Sequence, residues 1–396
     1  MLRKIVSILI VFLAACIITA ILNIYNSAEV DAEKEIEIAK ISKKPSIVML
    51  ATVMNNFRDS LSEELLTDAS YPLGHKEMYS WSNLPPSRNQ DRGGIEFSKL
   101  SVDQLSLFQK VLDAFLSDEG YTKVSLITTR AETDLVKITH GFWSSRPYFI
   151  ALFGNPKTDG SWGFQLDGHH LSLNFLVHGD EVSIVPAHFG TQPTFVNGNE
   201  VFEGERGNAL SLLNSLEKEQ KENAIQTGRR GLKVGPGSTT DPFLNYDYSD
   251  FVGVGLKASA MNDAQKEKLR ALIESYVYNL ETEFADIWMN DIEADLEDTY
   301  FVWIGGTTET DSIYYRVFNP AIWIEFNDEA RNDGRPNHVH TVTRSPNGKD
   351  YGIFALNRGP RTLFEHYVHE DHHKKSDMLF DYTIVNLHHA ERLEKR

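Results

Sequence analysis

The spacing of apolar residues changes along this chain, and that change restricts its fold more than any other feature. Residues 46–69 and a stretch that begins after Ser101 carry apolar side chains at helical spacing. Ser101 and Gln104 have the spacing of a capping box, which marks a helix start. Between residues 147 and 186 apolar and polar residues alternate, as in an antiparallel meander of strands. Helical spacing then returns, and strand-like runs follow it.

This order of helices, strands, helices and strands lacks the regular alternation of βαβ units. It therefore predicts an α+β fold in which helices pack against a mostly antiparallel sheet. Later helices are expected at residues 208–224 and 263–288. Later strands are expected at residues 300–304, 313–318, 322–326 and 339–342. Within the meander, Asp167-Gly168 is expected to form a two-residue hairpin turn.

The N-terminus combines a basic head with a long apolar run. Two basic residues precede residues 5–24, which carry no charge and are long enough to span a bilayer. Positive charge before such a run favours export of the chain that follows. We expect residues 1–27 to be a signal peptide or membrane anchor, residues 28–45 a polar tether and residues 46–396 a single domain. That domain would lie in the bacterial cell envelope, on the periplasmic or extracellular side.

The chain contains one cysteine, Cys16, within the N-terminal apolar run. Leu13-Ala14-Ala15-Cys16 resembles the lipid-attachment box of bacterial lipoproteins, but apolar rather than polar residues follow it. An anchor is therefore favoured over lipidation. Since no other cysteine is present, the exported domain can form no disulfide, iron–sulfur cluster or cysteine-based zinc site, and it has no cysteine nucleophile.

Acidic residues outnumber basic ones by 56 to 39, which gives a formal net charge of −17. That excess repels phosphate backbones and anionic lipid surfaces, so nucleic acid is not an expected partner. Contact with a membrane is expected only through the N-terminal segment. The sequence contains no Gly-x-Ser-x-Gly elbow and no Walker loop, which disfavours serine hydrolases and nucleotide enzymes.

Histidine placement gives the main indication of chemistry. On a strand, His338 and His340 would project from the same face, as the first half of a metal site. His170, on the polar side of the meander, is a candidate third ligand, whereas Glu325 and His366 are candidates for a further ligand or a general base. Three protein ligands and an open position would bind a divalent ion and activate an oxygen. A hydrogen-bonded polar network is the structural alternative.

Three arginines lie in apolar, strand-like sequence: Arg146, Arg316 and Arg344. A buried guanidinium needs a partner, so each one either pairs with a carboxylate or binds an anionic group of a substrate. We expect Arg344 to orient the substrate for catalysis, and Arg316 and Arg146 to bind it. A structural ion pair is the alternative for each.

Two motifs resemble those of a known family. Residues 163–174 read Gly-Phe-Gln-Leu-Asp-Gly-His-His-Leu-Ser-Leu-Asn, and residues 337–346 read Asn-His-Val-His-Thr-Val-Thr-Arg-Ser-Pro. These strings, with Asp350-Tyr351-Gly352 after them, are similar to signatures of domain-of-unknown-function family 3500 (DUF3500), found in bacteria and fungi. The similarity spans roughly residues 85–373. It implies one family-wide domain without a settled activity.

These features predict an exported, membrane-tethered protein that acts as a metal-dependent enzyme, hydrolytic or oxidative, on a small extracytoplasmic substrate. A divalent metal ion is the expected cofactor. The alternative is a non-catalytic envelope protein that binds a metal or a small ligand. An open coordination position beside a concave apolar pocket would favour the enzyme, and a closed coordination sphere would favour the binding protein.

Overall fold

A mostly antiparallel sheet organises the part of the chain that the structure, a computed structural model, describes. The described residues are 47–85, 92–131, 133–135, 148–158, 160–179, 181–196, 198–232, 252–330, 336–346 and 350. All of them belong to one compact unit. The predicted anchor and tether lie outside these residues. No helix within the described ranges combines the length and the apolar character needed to cross a bilayer.

Fourteen strands lie in the described ranges. They are β1 (Ser70–Tyr71), β2 (Ile95–Glu96), β3 (Tyr148–Gly154), β4 (Ser161–Gly168), β5 (Leu171–His178), β6 (Glu181–Ser183), β7 (Ala187–Thr191), β8 (Phe195–Val196), β9 (Asn199–Glu200), β10 (Leu256–Lys257), β11 (Tyr300–Gly305), β12 (Ile313–Phe318), β13 (Trp323–Ala330) and β14 (Pro336–Arg344). The main sheet has the order β1-β3-β4-β5-β7-β14-β13-β12-β11-β10, with β2 on β3 and β6 on β5. Only β1 and β3 pair in parallel among these described strands. The predicted α+β class is confirmed.

Eight α-helices accompany the sheet in the described ranges. They are α1 (Ile47–Asp59), α2 (Glu63–Ala69), α3 (Val102–Phe115), α4 (Asp118–Ser125), α5 (Glu203–Ser215), α6 (Lys218–Ala224), α7 (Asp263–Val277) and α8 (Thr282–Ala294). The capping box predicted at Ser101 and Gln104 begins α3. Three of the predicted helices are each split in two. Between α1 and α2, for example, Ser62 caps a new helix by accepting a hydrogen bond from Leu65 N.

The predicted hairpin turn is wrong by two residues. Gly168 pairs with Leu171 as the last pair of β4 and β5, so His169 and His170 form the turn. A side chain at position 168 would overlap the ring of Tyr148, and this is why a glycine occurs there. That ring belongs to the neighbouring strand β3, a tertiary contact that the local pattern does not indicate.

The two faces of the sheet differ in chemistry. One face packs its apolar side chains, such as Leu166, Leu173 and Phe326, against the helices in a large hydrophobic core. The opposite face, here called the polar face, carries buried polar side chains because residues alternate between faces along a strand. Its buried polar members are Gln165, Asp167, Ser172, Asn174, His188, Arg316, Glu325, Asn327 and Arg344. His338 and His340 lie on this face too, since they alternate in step with Arg344 along β14.

Candidate metal centre

Strand order brings the predicted histidines together on the polar face. Strand β7 lies between β5 and β14, so Gly190 of β7 has His340 of β14 as its Cα partner. On the other side of Gly190, its backbone N–H donates to the carbonyl of His170, 2.6 Å away, in the turn before β5. His170 and His340 therefore approach each other from the two sides of a residue that has no side chain.

Three imidazole nitrogens converge above this glycine. The Nε2 atom of His338 is 3.1 Å from Nε2 of His170 and 2.8 Å from Nε2 of His340. The ligand atoms of the three residues all lie within 4.8 Å of one another. A ring nitrogen has one in-plane position for a proton or lone pair and so suits one hydrogen bond, whereas one ion can accept three lone pairs. The structure thus contains a histidine triad, His170, His338 and His340, that could hold a metal ion.

The triad depends on the absence of a side chain at Gly190. A Cβ atom there would lie 2.9 Å from the carbonyl oxygen of Val339. It would also lie 3.3 Å from Cδ2 of His340 and from Nε2 of His188. Such contacts are tighter than ordinary van der Waals distances, so the two rings would have to move.

His170 has a left-handed backbone conformation, with φ of 66°. This conformation costs free energy for a residue other than glycine, and it persists only where surrounding contacts hold it. Two backbone hydrogen bonds do so: His170 N donates to Asn83 O at 3.0 Å, and His170 O accepts from Gly190 N. The ring also stacks on the buried His169 at a centroid distance of 3.8 Å.

Burial keeps the rings of His188 and His340 neutral. It lowers the pKa of His188 to about 3, with smaller contributions from His338 and His169. Burial, and then the adjacent ring of His188, also lowers the pKa of His340 well below its ordinary value. A neutral imidazole carries the lone pair that binds a metal ion, so His340 has the protonation state that a metal ligand requires.

Glu325 lies close to the triad but is not part of it. It is fully buried on β13, and its Oε1 accepts a hydrogen bond from the Tyr314 hydroxyl at 2.5 Å. The group of residues whose ligand atoms converge, within the described ranges, contains only the three histidines. Asn327, two residues further along β13, is the Cα partner of His340. Glu325 therefore pairs with Val342, two residues from His340 along β14. Its role as a further ligand or general base stays a prediction.

The two described candidate arginines have partners in the protein. Arg344 is fully buried, and its Nε donates to Asp350 Oδ2 at 2.9 Å. This contact is the ion pair that was the alternative to a role in orienting substrate. The guanidinium of Arg316 stacks over Trp323, 5.1 Å from the ring centroid, and Arg316 is the Cα partner of Glu325. Both arginines belong to the polar face.

Several predicted positions lie outside the described residues. These are Cys16, Arg146 and His366. Residues 369–373, His-Glu-Asp-His-His, also lie there, and they have the His-Glu-x-x-His spacing of zinc proteases, which was overlooked above.

Three residues of the site were not predicted: Asn83, His188 and Gly190. Asn83 and His188 share a hydrogen bond of 2.9 Å between Nδ2 and Nε2, and both are buried. The alternation of residues 187–191 would have placed His188 and Gly190 on the polar side of a strand. No sequence pattern predicted that Asn83 belongs to the site, because Asn83 lies in a loop outside the strands.

Asp167 is a further buried acid on the polar face. It accepts hydrogen bonds from the Ser172 hydroxyl and, at 3.1 Å, from Ser82 N. Burial raises the pKa of Asp167 to about 6, although the charge of Arg92 and these hydrogen bonds act in the opposite direction.

Fold and site together define an α+β protein with a histidine triad on a buried polar face of its sheet. The chain belongs to the DUF3500 family, described as a protein of unknown function, whose model matches residues 43–353. The predicted resemblance is thereby confirmed. Neither the curated proteins nor the solved structures include a significant match.

Proposed function

We propose that this protein is an exported, membrane-tethered metalloenzyme in which His170, His338 and His340 hold a divalent ion. The convergence of the three Nε2 atoms is the observation that carries the proposal. A set of three neutral imidazoles suits Zn²⁺, Cu²⁺ or Ni²⁺, whereas Mg²⁺ and Ca²⁺ prefer oxygen ligands.

A catalytic role is favoured over a non-catalytic metal-binding role because the described residues supply only three ligands. Three protein ligands are typical of catalytic sites, in which a fourth position remains for water or substrate. An ion held in this way polarises a bound oxygen or lowers the pKa of bound water, which suits hydrolytic or oxidative chemistry. Glu325 and Tyr314, hydrogen bonded to each other on neighbouring strands, are the candidates for proton transfer. A non-catalytic metal-binding protein remains the second candidate if no open position exists.

Export is supported by the sequence alone. The uncharged run at residues 5–24 and the basic residues before it are the features that support it. In cells that express the full chain, the protein should sediment with membranes. Protease added outside the inner membrane should digest the domain, whereas digestion only after lysis would contradict export.

The metal proposal is tested by elemental analysis of the full-length protein, purified in mild detergent without a histidine tag. After incubation with zinc and gel filtration, the parent should retain close to one ion per chain. The double variant His338→Ala/His340→Ala should retain none while keeping its circular dichroism spectrum. His178→Ala is the matched control, because His178 is at the far end of β5 and bonds Ser161.

The zinc-loaded parent is then screened with ester, amide and phosphoester substrates, and the copper-loaded parent with small oxidisable substrates. Turnover that the double variant lacks would support the enzyme. Retained metal without turnover would favour the binding protein. A parent that retains no zinc, copper or nickel would contradict both.

A further inference from the structure

The three histidines of the triad leave one side of the site to other residues. Strands β7 and β14 are antiparallel, with Val339 opposite Thr191 and Val342 opposite His188. His338 therefore lies towards one end of the strands from the row of His170, Gly190 and His340. His188 lies towards the other end, with its ring 5.2 Å from that of His340.

Asn83 lies beside His188 on this fourth side. Its carbonyl accepts the N–H of His170, and its Nδ2 lies 2.9 Å from Nε2 of His188. A Cβ at Gly190 would be 3.3 Å from that same Nε2 atom, so the Asn83 amide is hydrogen bonded to an atom that borders the space above the glycine. Asn83 thus contacts His170 through its backbone and His188 through its side chain.

The hydrogen bond between the two side chains leaves the second amide proton of Asn83 without a partner in the described ranges, and Nδ1 of His188 has none there either. An amide nitrogen only donates, so Nε2 of His188 accepts and the proton of this neutral ring is on Nδ1. The amide nitrogen of Asn83 carries two protons, and His188 takes one of them. Among the described residues, no acceptor is present for the other, although Asn83 is only 4% exposed. A buried donor of this kind suits an acceptor atom on a ligand.

Charge indicates the kind of ligand. A divalent ion held by three neutral imidazoles brings two positive charges into a buried site. Neither of the two acids described above on the polar face, Asp167 and Glu325, belongs to the group of residues whose ligand atoms converge. An anionic oxygen at the open position would balance part of that charge and would accept the remaining amide proton.

We propose that the Asn83 amide, held in place by His188, binds the oxygen of a small carboxylate at the open position of the metal centre. This inference rests on the proposed function, since it requires the bound ion. It makes Asn83 a substrate-binding residue and His188 a positioning residue. It also narrows the substrate class to small carboxylic acids or esters that yield them.

Acetate titrated into the full-length protein loaded with Co²⁺ tests the inference, with visible absorption as the readout. The parent should show a saturable spectral change. Asn83→Leu keeps the branching of the side chain and should retain full cobalt content, but it should bind acetate at least about tenfold more weakly, as expected for the loss of a hydrogen bond to a charged group. Asn83→Ala serves as a second variant in case the first does not fold. Asn55→Leu, on α1, is the control and should match the parent.

The outcomes separate this inference from the proposed function. A parent without cobalt would contradict the metal centre itself. Cobalt-loaded variants that bind acetate as tightly as the parent would overturn the role of Asn83 and leave the metal centre intact. Loss of cobalt from both Asn83 variants, but not from the control, would show that Asn83 holds the centre rather than its ligand, and this would also overturn the inference.

Discussion

Gly190 separates two histidines that must meet if the triad is to bind an ion. His170 and His340 come from strands on either side of β7, and the position between them has no Cβ. The contacts that a methyl group would make there involve a backbone carbonyl and two imidazole rings, none of which is the free end of a flexible side chain.

Replacement of this glycine should weaken the site without unfolding the protein. Gly190→Ala is expected to lower zinc affinity roughly 10- to 100-fold, the usual range when the neighbours of a metal ligand are disturbed. A competition titration with a chromophoric chelator measures it. The control is Gly207→Ala, because Gly207 is within α5 and a Cβ there would contact nothing within 4 Å. Equal affinities in parent and Gly190→Ala would contradict the geometry described for the triad.

The backbone of His170 allows a second test at the level of one residue. Both His170→Gly and His170→Ala remove the ring, but only glycine adopts the left-handed conformation without strain. In the absence of metal, the glycine variant should unfold with a free energy about 1 kcal/mol higher than the alanine variant. Urea denaturation gives the comparison. A more stable alanine variant would mean that position 170 is not left-handed in solution.

Asp167 should make stability depend on pH. Its pKa is about 6 in the folded protein and 3.8 ordinarily. The contribution of Asp167 to the free energy of unfolding is therefore fully present below pH 3.8 and is lost as the pH rises through 6. The reason is that the Asp167 carboxyl gives up its proton at a lower pH in the unfolded chain than in the folded protein. The difference between the two pKa values corresponds to about 3 kcal/mol in the free energy of unfolding.

The variant Asp167→Asn mimics the protonated acid at every pH. Its free energy of unfolding relative to the metal-free parent should rise between pH 4 and pH 7, as urea denaturation in a chelator would measure. Other titrating groups cancel in this difference. A difference that is independent of pH would show that the Asp167 carboxyl ionises normally in the folded state.

A buried ion pair joins helices α4 and α5 on the side of the sheet opposite the polar face. Lys123 of α4 is 2% exposed, and its Nζ donates to Glu205 of α5 at 2.5 Å and to Asn279 at 2.8 Å. Taking charges out of water is costly, so this pair is not by itself a large source of stability. Removal of one partner, however, leaves the other buried without its counter-charge.

We therefore expect the two halves of the pair to behave non-additively. Lys123→Met should lower the free energy of unfolding by about 3–5 kcal/mol, whereas adding Glu205→Leu should restore much of the loss. Zinc content should be unchanged in the folded variants, because the pair lies on the helix side of the sheet. Additive losses in the double variant would show that Lys123 and Glu205 do not interact as a buried pair.

The elements themselves were largely predictable, because their signals are local. Strands β11 and β12 follow from alternation and β-branched or aromatic residues, and α3 follows from its capping box. Breaks within helical patterns were not predictable from periodicity, since consecutive helices bury their apolar faces in one core and so continue the pattern. The hairpin turn was misplaced because Gly168 serves packing against Tyr148 rather than turn geometry.

For the whole molecule, the site depends on strand order. His338 and His340 were predictable as a pair, since residues two apart on a strand share a face. Their meeting with His170 requires β5, β7 and β14 to be neighbours, and β14 is about 150 residues from the other two in sequence. No local pattern encodes that pairing. The same pairing brings His188 and Gly190 into the site, whereas Asn83 reaches it from a loop.

X-ray absorption spectroscopy at the zinc edge of the untagged, zinc-loaded full-length protein tests the central claim most directly. The account predicts about one zinc per chain with three imidazole nitrogens at about 2.0–2.1 Å and one further light ligand. The outer-shell scattering of imidazole should vanish in His338→Ala/His340→Ala and persist in His178→Ala. A spectrum without imidazole scattering in the parent, or one that the double variant leaves unchanged, would show that the triad does not bind the metal.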